Sequence, residues 1–125
     1  MRPSDEDVLQ FVGASFPSVW AVELLLALKR EPRLWTRAEL LTTLRASEVV
    51  VSKALDALVA AGLASTEREG AIYQPVNPDV EALVDRVEQL YRSRPNTVRR
   101  TIVATRASSA TAFADAFQLR KGRDD

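Results

Sequence analysis

Between Thr36 and Val76 the hydrophobic period changes once, and that change restricts the chain to few folds. Thr36 is placed to cap a helix over Arg37 to Arg45, and Glu39 three residues on completes a capping box. Ala38, Leu40, Leu41 and Leu44 give that helix one inward stripe. After Ala46, Ser47 caps a second helix over 48–61, in which Val51, Ala54, Leu55 and Leu58 recur at i, i+3, i+4 and i+7. Gly62 stands where a left-handed residue ends a helix. From Leu63 the period becomes that of strands: Leu63 to Glu67 and Ala71 to Val76 flank Arg68-Glu69-Gly70, a short loop with Gly70 available for positive φ.

Helices are predicted on both sides of this device. Ser4-Asp5-Glu6-Asp7 has capping-box spacing and starts a helix over about 5–13. The next, over 17–30, carries only Glu23 as a charge between Val19 and Leu28, so it is buried on more than one side. Terminal helices or a second subunit must cover it, which makes a homodimer the expectation. Asn77 caps a helix opening on Pro78 and running to about 93, with Leu83, Val84, Val87, Leu90 and Tyr91 inward. Beyond Pro95 a helix restarts at Asn96 or Thr97 with Val98, Ile102 and Val103 inward, and Ser108-Ser109 break it. A last helix, about 110–120, offers Phe113, Ala116 and Phe117; with Leu119 these aromatics are assigned to core or dimer seam. Trp20 and Trp35 are assigned to helix packing. The expected fold is mainly α with a small β-hairpin, in a single domain over 1–125. Its core is about 17–77, and the C-terminal helices over about 78–120 serve packing or dimerisation.

Composition removes whole classes of chemistry. The 125 residues include no cysteine and no histidine, which excludes disulfides, thiolate metal sites and the usual neutral-pH general base. No Gly-rich phosphate loop, nucleophile–base pair or metal-ligand cluster is present, so neither an enzyme nor a cofactor is expected. The acidic start lacks the layout of a signal peptide. The apolar run Val19 to Leu28 spans about 15 Å as a helix, half of a bilayer core. A cytoplasmic location without membrane contact is therefore expected.

Net charge is zero, yet the charge is unevenly spread. Residues 1–28 hold one Arg against four acids, and 54–91 two against seven. Residues 29–53 hold six basic side chains against three acids, and 92–123 eight against Asp115 alone.

The order Val51-Ser52-Lys53-Ala-Leu55-Asp-Ala-Leu58-Val-Ala-Ala-Gly62-Leu63 resembles the stretch V-S-[RK]-x-L-x-x-L-x-x-x-G-[LIV] of bacterial winged-helix regulators of the MarR broad group. The resemblance spans about 20–80 and implies a winged helix-turn-helix domain extended by N- and C-terminal helices. It further implies that the partner is double-stranded DNA and that the protein is a transcriptional regulator, here expected to be a dimeric repressor acting by operator occupancy. By the same resemblance Ser52 and Lys53 contact phosphates or bases, Ser47 or Thr36 caps a helix near the DNA backbone, and the hairpin touches the minor groove.

The residues themselves add to this. With Val51, Ala54, Leu55 and Leu58 inward, the outward set of helix 48–61 is Glu48, Val49, Val50, Ser52, Lys53 and Asp56. Lys53, Arg45 and Arg37 are placed to neutralise phosphates, and Val49 and Val50 to meet thymine methyls. At the hairpin tip Arg68 lies between Glu67 and Glu69. The acids make for weak, salt-dependent binding. A second function fits the same helix: Val49 and Val50 form a patch that docks a protein partner, with no DNA involved. Two uses also stand open for Arg92, Arg94, Arg99, Arg100 and Arg106: a second phosphate-contacting surface, or a helical face paired with Asp79, Glu81, Asp85 and Glu88.

Overall fold

The computed structural model describes residues 3–105, mainly helical with a small three-stranded antiparallel sheet. The elements are α1 (Asp5–Ser15), α2 (Val19–Arg30), β1 (Trp35–Thr36), α3 (Arg37–Leu44), α4 (Glu48–Ala60), β2 (Ala64–Glu67), β3 (Gly70–Tyr73) and α5 (Pro78–Ser93). A sixth helix, α6, is described over 95–105. Arg106 and the expected helix at 110–120, with Phe113, Ala116, Phe117 and Leu119, lie outside the described residues.

Four helix starts form where short polar side chains meet orphan amides. Ser4, Thr36, Ser47 and Asn77 each accept from the backbone N–H three residues on, at 3.1, 3.2, 3.3 and 2.9 Å. In α1 and α3 the carboxylates of Asp7 and Glu39 return the bond to the cap amide. Gly62 takes φ 75°, the left-handed conformation anticipated after α4.

Helix α2 is the centre of the packing. It lies against α3, α4 and β3, and Leu24, Leu25 and Leu28 are fully enclosed while Leu26 is nearly so. One chain thus covers the faces that the sequence reading left to terminal helices or a second subunit, and burial of α2 by itself does not ask for a dimer. Val8 and Val12 of α1 and Phe16 just after it join the same core, as do Val84 and Val87 of α5 and Val98 and Ile102 of α6. Val103 is 63% exposed, against its expected inward place, because α6 turns Val98 and Ile102 inward and Val103 lies one step round the helix.

The sheet corrects the two-stranded expectation. Its order is β1-β3-β2, with Trp35 opposite Ala71 and Thr36 opposite Gly70. Glu67 pairs with Gly70, so only Arg68 and Glu69 make the connection. Gly70 belongs to β3 and has no positive φ. It is needed because β1 passes so close: a Cβ there would lie 1.7 Å from the Trp35 carbonyl oxygen. The left-handed residue that the reading did not foresee is Arg45, at φ 52° and ψ 43°, which ends α3 one residue early.

Candidate nucleic-acid interface

Helix α4 is anchored by Val51, Ala54, Leu55 and Leu58, all buried. Its opposite side presents Glu48, Val49, Lys53 and Asp56 exposed, with Val50 and Ser52 half-buried. Val49 is 63% exposed, and an isolated apolar side chain so displayed contributes nothing to the core. Val50 is less outward than expected, since its neighbour Val51 is the buried residue of that turn.

Arg37 leads α3 and reaches across to α4. Its Nη1 donates to the Ser52 hydroxyl at 2.6 Å and lies 3.9 Å from the Glu48 carboxylate. Arg37 and Arg68 line the same narrow cleft of about 80 Å³, between the helix pair and the hairpin, with Glu67 and Glu69 beside them. Arg45 is exposed in the turn between α3 and α4, and Ser47 spends its hydroxyl on the Val50 amide. Among the described residues Arg45, Ser47 and Lys53 make no ion pair or hydrogen bond with the Arg37–Ser52–Glu48 group. The structure therefore joins Arg37, Ser52 and Arg68 into one neighbourhood, while Arg45 and Lys53 stand apart as single exposed cations.

Electrically this side is mixed. Arg37, Arg45, Lys53 and Arg68 face Glu48, Asp56, Glu67 and Glu69, four charges of each sign. Below it, the Thr36 amide and then the Arg33 guanidinium hold the Glu39 carboxyl at about 2. Arg33 also stacks over the Trp35 ring at 4.1 Å, and Trp35 Nε1 donates to the Glu31 carbonyl at 2.9 Å, so the start of α3 is firmly placed.

The C-terminal arginines meet the expected pairing only in part. Asp85 and Glu88 of α5 meet Lys29 of α2 at 3.3 and 2.9 Å, and Glu88 raises the Lys29 pKa above its ordinary value. Arg92 pairs with Glu88 at 3.9 Å, one instance of the expected pairing. Arg99 lies over the Tyr91 ring at 5.7 Å and donates to its hydroxyl at 3.4 Å, while Tyr91 donates to Glu23. Burial and then the Glu23 carboxylate push the Tyr91 pKa up. Arg94 and Arg100 are exposed.

Sequence reasoning missed two surfaces. Trp20 is 40% exposed, against its expected packing role, and with Val19, Glu23, Thr43 and Leu44 lines an open hollow of about 460 Å³. A second groove of about 430 Å³ runs between residues 13–17, Ala57, Ala60, Ala61 and Thr105. The exposed Trp20 is unreadable from a run that is apolar on nearly every side. No single helix among the described residues is long and apolar enough to cross a membrane. No family model, no curated protein and no solved structure matches this chain.

Proposed function

We propose that the protein is a sequence-specific double-stranded-DNA-binding regulator of the winged helix-turn-helix kind, acting as a repressor by operator occupancy through α4. The observation that carries this reading is the outer side of α4. Val49, Ser52 and Lys53 stand together on a helix whose other side is locked into the core, directly after a tight turn from α3. Two helices joined by residues 45–47 and followed by a hairpin suit a helix whose N-terminal turn enters a major groove. Four cations on this side bound the phosphate contacts, so the log–log salt slope is no steeper than about −4 per subunit. A twofold dimer is part of the proposal; it sets two α4 helices about 34 Å apart on a pseudo-palindromic site. A pull-down of genomic fragments at two salt concentrations tests the whole. Specific fragments retained at the higher salt support it, and retention of none refutes it.

The 63% exposure of Val49 favours a second reading, a docking module for another protein. Under that reading Val49→Asp abolishes partner capture, and DNA affinity is absent from the start.

A further inference from the structure

We infer that Arg37 and Glu48 together read one C·G base pair, an inference that rests on the DNA-binding reading above. The carboxylate of Glu48 accepts from the cytosine N4 amino group, and the guanidinium of Arg37 donates to guanine O6 and N7.

Four observations meet here. First, Arg37 and Glu48 are side by side on the outer surface, their side chains 51% and 69% exposed. Secondly, at 3.9 Å the two are near enough to stay adjacent but too far for the tight paired contact that would satisfy both. Thirdly, Arg37 spends one N–H on Ser52 at 2.6 Å, which fixes the plane of the guanidinium and leaves further donors of its five for a ligand. Fourthly, Glu48 is the first residue of α4, the end of the helix that is led into the groove.

Phosphate is the wrong partner for this pair. A carboxylate beside the guanidinium repels the DNA backbone, whereas a base edge offers both a donor and acceptors. In the major groove a C·G pair shows the cytosine amino group next to guanine O6, with N7 beyond it. An acceptor and a donor held a few ångströms apart match that edge; A·T also sets a donor beside an acceptor, but it offers the guanidinium only thymine O4, with a methyl group where guanine presents N7. Ser52 is then a positioning residue for Arg37, and the bare cations Arg45 and Lys53 are left to the phosphates.

The test is selection from a randomised duplex library with the full chain, followed by titration of the selected site and its single-pair variants. Wild type is expected to favour C·G at one position of each half-site by about tenfold or more over the other pairs. Glu48→Gln should weaken the C·G preference at that position alone, since an amide both donates and accepts while Arg37 still reads the guanine. Arg37→Lys should weaken the guanine preference there and leave the other positions intact. Ser52→Ala should lower the same preference partway. The inference is overturned if Glu48→Gln discriminates C·G from the other pairs at that position as strongly as wild type. It is equally overturned if Glu48→Gln raises affinity for every sequence by one factor, for then Glu48 merely repels DNA. A wild-type chain that selects no sequence sinks the DNA reading and this inference with it; a wild type that selects a site lacking this C·G pair sinks the inference alone.

Discussion

The backbone of Trp35 passes so near Gly70 that a Cβ on the glycine would lie 1.7 Å from the Trp35 carbonyl oxygen. The obstacle is backbone, and no rotamer change relieves it. Gly70→Ala must therefore part β1 from β3 and disturb the start of α3. The expected cost is about 3 kcal/mol, measured as a lower urea midpoint. An unchanged midpoint would mean that β1 does not pair as described.

Stability should respond to pH through two groups at opposite ends of the scale. Glu39 is held at about 2 by the Thr36 amide and Arg33, against an ordinary value of 4.5. Its folded value is the lower one, so its contribution is complete above about pH 4.5 and is lost as pH falls toward 2. Solvent around this exposed carboxylate keeps the effect modest. Glu39→Gln should flatten the acid limb of the thermal-midpoint profile relative to wild type.

Lys29 behaves in the reverse sense. Glu88 raises its folded pKa above 10.5, so its contribution is complete below that value and is lost as pH rises through the folded pKa. Lys29→Met should make the alkaline fall in the midpoint shallower, leaving the part due to the raised Tyr91 hydroxyl. A mutant profile parallel to wild type above pH 10.5 would contradict the Lys29–Glu88 bond.

If α4 binds DNA as proposed, its phosphate contacts and base contacts separate by mutation. Lys53→Ala should weaken DNA binding on all sequences and reduce the salt slope by about one. Val49→Ala should change base preference at a thymine position, and Val50→Ala should do so less, because Val50 is half-buried. Equal losses from Lys53→Ala and Val49→Ala on every duplex would argue against direct readout.

If the chain pairs, the exposed Trp20 beside Val19 and Leu44 is an apolar surface for the partner copy to cover. Trp20→Glu should then convert a dimer to a monomer in size-exclusion with light scattering. A wild-type monomer at micromolar concentration would remove the dimer from the proposal.

What could be read in the sequence was local. The caps Ser4, Thr36, Ser47 and Asn77 act within three residues of themselves, and Gly62 within its own turn, so spacing alone located them. What escaped was decided at a distance. Strand β1 is two residues long, too short for any period, and exists only because β3 passes beside it. Lys29 and Glu88 are 59 residues apart, and nothing near either one announced the pair. Of the candidate site, the inward set of α4 followed from periodicity. The bond from Arg37 to Ser52 did not, because it depends on how α3 crosses α4.

The enclosure of α2 has one more consequence. A helix touched by α3, α4 and β3 at once cannot be bared piecemeal, since releasing any neighbour opens the interior to water. Its amide protons should exchange only when the whole body opens, at the slowest rates in the molecule. Under the DNA-binding reading proposed above, operator contact and thermal endurance would then share one foundation, and damage to it would silence the protein by melting it, with the outer side of α4 still intact in sequence.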